Sequence, residues 1–242
     1  MKFHIEDGVL KEYNREKGDS QHLVIPDGVT RIEADLAYYD FSSITIPESV
    51  TSIDSDAFGD EYYKPMRYSL YEMTMPLNKD CWAYGFNSYK NLNYLTLTIN
   101  GHKIEIEASC RLLSSAFYML AYKDFSYNLK SEIKYPALLD YFFITDDEDA
   151  KEYIGKNFDK IMKYLLFSEN YEDSYRIEKL IEKTDFITDK NINKLLKWSA
   201  SSDDHETFTS LTDYKDKNGV FLDKKREDCY PEEKQKYCRL CF

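Results

Sequence analysis

A ten-residue stretch near the N-terminus is answered 21 positions later. Leu23-Val24-Ile25-Pro26-Asp27-Gly28-Val29-Thr30-Arg31-Ile32 is followed by Ile44-Thr45-Ile46-Pro47-Glu48-Ser49-Val50-Thr51-Ser52-Ile53. The apolar residues keep one offset, Ile25 with Ile46, Val29 with Val50, Ile32 with Ile53, and Pro26 matches Pro47. A fixed period of this length marks a solenoid, in which each repeat buries its apolar edge only against its neighbours. Solenoids present surfaces, so the pattern indicates binding more clearly than it indicates a partner. Each repeat reads as a short strand ending at Ile-Pro, a turn, a second short apolar segment and a return. Proline cannot donate to a ladder and so belongs at strand ends, and Gly28 supplies a permissive turn backbone. A degenerate third copy reads from Tyr71-Glu72-Met73-Thr74-Met75-Pro76 into Trp82-Ala83-Tyr84-Gly85-Phe86, which requires an insertion around 61–69 to loop out.

Two phrases carry a family resemblance. They are Phe3-His4-Ile5-Glu6-Asp7-Gly8-Val9-Leu10-Lys11-Glu12-Tyr13-Asn14 with Val24–Thr30, and Ile44–Ile53 with Asp56-Ala57-Phe58. Together they resemble the start and the repeat of BspA-type leucine-rich-repeat proteins. The match is specific over residues 3–60 and looser to about 106; Leu36-Ala37 stands where that family usually has Ala-Phe. The resemblance implies a protein-recognition scaffold without catalysis, often one module among several.

Beyond Ile104-Glu105-Ile106 the apolar spacing lengthens. Residues 149–167 carry Tyr153, Ile154, Phe158, Ile161, Met162, Leu165 and Leu166 on one helical face. Thr145-Asp146-Asp147-Glu148 reads as its capping box, with Thr145 as N-cap. Phe143-Ile144-Thr145-Asp146 recurs as Phe186-Ile187-Thr188-Asp189, followed by Ile192, Leu195, Leu196 and Trp198 at helical spacing and by Leu211–Lys215. Paired helices are expected here, similar to the degenerate ankyrin-like tails of some BspA-type proteins, with residues after Asn218 forming a charged tail or one peripheral helix. The expected architecture is α+β: a short leucine-rich-repeat β-solenoid over 1–106, then a helical-repeat domain over 107–242.

Chemistry is hard to place on this chain. The net charge of −12 disfavours contact with phosphate backbones. It is lopsided, because residues 1–60 hold 13 carboxylates against five basic side chains, a balance of −8. No signal peptide opens the sequence and no run is long and apolar enough to span a membrane, which points to a cytoplasmic protein. Five cysteines, odd in number, suit reduced thiols. Cys229, Cys238 and Cys241 lack a second CxxC or a nearby histidine, so zinc is not expected. Asp213–Lys225 fails as a calcium loop, because aligning Gly219 puts Tyr214 and Lys225 at ligand positions. The histidines (His4, His22, His102, His205) are scattered, and no phosphate loop or nucleophile motif appears. Neither catalysis nor a cofactor is expected.

Four acidic pairs fall at the repeat offset: Asp27/Glu48, Glu33/Asp54, Asp35/Asp56 and Asp40/Glu61. On adjacent coils about 4.8 Å apart, each pair would lie well inside a Debye length of about 8 Å. They are either solvated turn positions or a carboxylate ladder awaiting Lys or Arg from a partner. Tyr38, Tyr39, Tyr62, Tyr63, Tyr68 and Tyr71 lie beside them, as edge packing or as aromatic anchors. The expected function is non-catalytic protein binding through this acidic, tyrosine-rich surface, with a basic protein as partner and no direct nucleic-acid or membrane contact. The alternative is a phage or mobile-element inhibitor that mimics nucleic acid in the basic groove of a defence enzyme, in the manner of anti-CRISPR proteins.

Overall fold

The computed structural model describes residues 2–59, 69–81, 89–202 and 204–217. Glu61, Tyr62, Tyr63, Tyr68, the 82–86 segment, Cys229, Cys238, Cys241 and the tail after Asn218 lie outside the described residues. The chain divides into two compact units, Met1–Ile154 and Gly155–Phe242.

In the first unit the 21-residue echo becomes strand register. A five-stranded sheet runs β3 (His22–Val24), β5 (Ser43–Thr45), β7 (Glu72–Pro76), β8 (Tyr94–Ile99) and β9 (His102–Glu107). Its first four strands are parallel, and Leu23, Ile44, Met73 and Leu95 stand in one row. The second apolar segment of each coil builds another sheet, β1 (Lys2–Glu6), β2 (Val9–Asn14), β4 (Arg31–Ile32) and β6 (Ser52–Ile53), with Leu10, Ile32 and Ile53 aligned. The ladder continues past the strands, Ile25 N–H donating to Thr45 O, Ile46 N–H to Thr74 O and Leu77 N–H to Thr98 O. All of these aligned apolar side chains are buried. Stacked rows of this kind are how a coil too small for its own core gains one from its neighbours. The third coil, β7, pairs 29 residues after β5 instead of 21, as an insertion requires. One more parallel strand, β8, follows after 22.

Both ends are closed by hairpins. β1 pairs antiparallel with β2 through Asp7-Gly8, and β9 with β8 through Asn100-Gly101; all four turn residues have positive φ. That is the geometry of a type I′ turn, which Asp-Gly and Asn-Gly favour. Each hairpin ends one side of its sheet with an antiparallel strand, and the register shift at His4/Ile5 makes the outer strand β1 irregular, a feature that discourages pairing with further strands. A 3-10 turn, Lys79–Cys81, lies along β6, with Asn78 Nδ2 donating to Thr51 O and Cys81 Sγ to Val50 O.

Helices follow the last strand: α1 (Cys110–Ala121), α2 (Ser131–Thr145), α3 (Glu148–Lys156), α4 (Phe158–Leu166), α5 (Glu172–Lys183), α6 (Ile192–Ser201) and α7 (His205–Lys217). Two expectations change here. Thr145 belongs to the last turn of α2, where its hydroxyl donates back to Tyr141 O. Asp147 is the cap instead, accepting from Ala150 N–H at 2.9 Å. The single helix expected over 149–167 is broken at Asn157, whose carbonyl accepts from the Lys160 and Ile161 N–H groups and so starts α4 afresh. Gly155 marks the same break: a Cβ there would sit 2.9 Å from the Phe186 ring. The two Phe-Ile-Thr-Asp phrases also differ in form, the first ending α2 and the second forming non-helical chain before α6. In the second unit α7 is capped by Asp204, which accepts from Thr207 N–H and from the Thr207 and Ser174 hydroxyls.

Candidate functional site

The expected acidic pairs resolve into three kinds of place. Glu33 and Asp54 do adjoin on neighbouring coils, and the cations between them come from the chain itself. Lys11 Nζ pairs with Glu33, while Arg31 bridges Glu33 at 3.2 Å and Asp54 at 2.8 Å. The hydrogen bond from Lys11 is the main reason the Glu33 carboxyl lies below the usual carboxylate range, and the hydrogen bonds that Arg31 donates to Asp54 raise the guanidinium's pKa. Glu48 accepts the Gly101 N–H with both oxygens, at 3.0 and 3.1 Å, tying the second coil's turn to the closing hairpin. Its repeat mate Asp27 is exposed on the preceding turn. Asp35 and Asp56 are exposed but make local bonds, accepting from Ala37 N–H and from the Ser55 hydroxyl respectively. Asp40 is exposed, and its backbone carbonyl accepts from Arg15. Its offset partner Glu61 lies outside the described residues.

The tyrosines divide as well. Tyr39 is a packing residue: its hydroxyl donates to Tyr13 O at 2.6 Å and its ring meets Tyr13 edge-on at 4.8 Å, beside Phe41. Tyr38, one position earlier, is 61% exposed. Tyr62 and Tyr63 fall outside the described residues.

A second surface, absent from the sequence reading, is the solvent face of the five-stranded sheet. Strand residues alternate sides, so the neighbours of the buried Leu23–Ile44–Met73–Leu95 row point outward. One outward row runs His22, Ser43, Glu72, Tyr94 and Glu107; the next runs Val24, Thr45, Thr74, Thr96 and Glu105. Three carboxylates and the exposed Tyr94 thus stand on a rigid ladder, with exposed Tyr71 immediately before β7. Glu107 accepts a hydrogen bond from the Tyr94 phenol, which with its charge pushes that phenol's pKa up. His22 Nδ1 sits 2.7 Å from the Ser43 hydroxyl along the same row. The signal was present in the alternation of Tyr71–Met75 and Tyr94–Thr98, where Met73 and Met75 answer Leu95 and Leu97 after 22 residues.

The described residues contain no cluster of three or more metal-ligating side chains, and none of their helices is long and apolar enough to cross a membrane. Cys81 is fully buried, and that burial, helped by Asp80, pushes its thiol up to about 12. Cys110 is buried too and its thiol is also raised. His4, His22 and His102 lie on strands and His205 opens α7. Comparisons with protein-family models, with curated proteins and with solved structures give no match for this chain.

Proposed function

We propose that this chain is a non-catalytic protein-binding module whose coils are leucine-rich repeats of the BspA type, and that it docks a basic protein surface on the outer face of its five-stranded sheet. The observation that carries the reading is the pair of outward rows. Glu72 and Glu107 flank Tyr94 in one outward row and Glu105 stands in the next, while the other positions of these two rows are His22, Val24, Ser43 and threonines and one exposed cation, Lys103, follows further along β9. Tyrosine offers rigid area with a polar tip, and carboxylates around it steer a cationic partner and set its register. The turn carboxylates are the weaker candidates, because Glu33, Asp54 and Glu48 are already engaged within the chain. For the same reason the groove-blocking, nucleic-acid-mimic reading draws less support. The helical region is read as an ankyrin-like accessory to the same binding role.

The test compares two variants as baits. One carries Tyr94→Ala, Glu72→Gln and Glu107→Gln; the other carries Asp27→Asn, Asp35→Asn, Glu48→Gln and Asp56→Asn. A partner captured by the wild type should be lost with the first variant, kept by the second, and weakened by salt. Loss with the second variant alone would return the site to the turns and revive the mimic reading. Loss with neither would refute a contact surface on the solenoid.

A further inference from the structure

The outward side chains of β9 carry a charge order that their sheet neighbours extend. Taken back from the end of the strand, Glu107, Glu105 and Lys103 are exposed at alternate positions, with Ile106 and Ile104 buried between them. Each belongs to a row across the face. Glu107 stands opposite Tyr94 and then Glu72, Glu105 opposite Thr96 and Thr74, and Lys103 opposite Thr98 and Pro76. Successive rows on these three strands therefore hold two carboxylates, one carboxylate and one ammonium group. Among the described residues Glu72, Glu105 and Lys103 make no side-chain hydrogen bond or ion pair, and Glu107 accepts only from the Tyr94 phenol. Tyr94 is 44% exposed although its strand is paired on both sides, so the exposed area belongs to its side chain. Neighbouring strands lie about 4.8 Å apart and alternate residues of one strand about 6.8 Å apart, which sets the grid on which these charges stand.

We propose that the partner segment docked on this face is an extended stretch of the pattern Arg-x-Arg-x-Asp or Arg-x-Arg-x-Glu, lying along β9 from Glu107 toward Lys103. The inference rests on the sheet-face reading above and adds the partner's register to it. An extended chain sends every second side chain to one side at the same spacing of about 6.8 Å, so successive alternate residues meet successive rows. The first enters the row of Glu107, Tyr94 and Glu72. A guanidinium suits that place: its planar fork of five donors can serve a carboxylate on either side, and its apolar stem has the tyrosine to lie against. An ammonium group is a point charge on a flexible stem and fits the row less well. The second cation faces Glu105. The third position faces Lys103, where another cation is repelled and a carboxylate is paired. Lys103 thus supplies the repulsive element that separates a segment of fixed charge order from any basic chain.

The experiment titrates the full chain into three glycine-flanked peptides carrying a neutral dye, read by fluorescence polarisation at low ionic strength. Their cores are Arg-Thr-Arg-Thr-Glu, the permuted Arg-Thr-Glu-Thr-Arg, and Lys-Thr-Lys-Thr-Glu. All three carry the same net charge, so a face that answers to charge alone binds them alike. The first should bind at least about fivefold tighter than either of the others. Lys103→Glu, an exposed change, should weaken the first peptide and favour Arg-Thr-Arg-Thr-Arg over it. Equal affinity of the first peptide and either other one, or an unchanged preference in Lys103→Glu, would overturn the inference and leave the basic-partner reading standing. Absence of binding by every peptide up to millimolar protein would overturn it as well. In that case the bait comparison decides the parent reading separately, which fails if the Tyr94, Glu72 and Glu107 variant keeps the captured partner.

Discussion

Ile44 sits inside the solenoid's inner row, between Leu23 on β3 and Met73 on β7, and is 1% exposed. Truncating it to alanine removes three carbon atoms from a place with no solvent to refill it. At about 0.8 kcal/mol per buried methylene the transfer loss alone is about 2.4 kcal/mol. The rows above and below are tied by ladder hydrogen bonds and can collapse only partly, so a cavity term brings the total to about 3–4 kcal/mol. Val24 has the opposite parity and is 58% exposed, so Val24→Ala should cost only about 0.5 kcal/mol. The contrast tests register as well as packing. A one-residue slip would exchange inner and outer residues along the whole strand and would reverse the order of the two variants. Urea unfolding followed by far-UV circular dichroism measures both, and an unchanged m-value establishes that the loss is stability and not an altered unfolded state. A cost below about 1 kcal/mol for Ile44→Ala, or equal costs for the two, would refute the stacked-coil account.

Three further outcomes follow from particular groups. The buried Tyr13 hydroxyl has no hydrogen-bond partner among the described residues, so Tyr13→Phe should leave stability unchanged or raise it by about 1 kcal/mol, read from the thermal midpoint. Cys81 and Cys110 should be silent to a thiol reagent at mildly alkaline pH: with Cys229, Cys238 and Cys241 changed to Ser, colour should appear only on adding denaturant. Burial works against the charge on Asp147, but bonds from Lys123 and the Ala150 N–H outweigh it and hold its pKa below the usual carboxylate range. Its contribution is therefore complete above the unfolded value and lost as pH falls through the lowered one. Melting curves on an acid series should show that loss, and Asp147→Asn should reduce it.

The two halves of the chain differ in how far local pattern decides structure, and the reason is physical. In the solenoid each residue's neighbours are its own repeat mates, so an offset in sequence is a contact in space, and the rows Leu10/Ile32/Ile53 and Leu23/Ile44 could be read directly. The offset names which residues adjoin but not what lies between them. Arg31, two positions before Glu33 and so on the same side of the chain, was enough to show that the Glu33/Asp54 pair carries its own cation. The closing hairpins were written in Asp7-Gly8 and Asn100-Gly101, two dipeptides that need no homologue to interpret.

Among the helices the same logic misleads. Phe-Ile-Thr-Asp occurs twice, yet one copy ends α2 and the other is held in non-helical form by Asn191. The second copy depends on a ring finding room beside Gly155, some thirty residues away, so its conformation follows from a tertiary fit that no local window contains. A phrase repeated on a solenoid strand keeps its partners when it repeats; a phrase repeated between helices changes them. That is why the sheet surface could have been derived from alternation alone, whereas the fit of Phe186 beside Gly155 becomes visible only once the helices are packed.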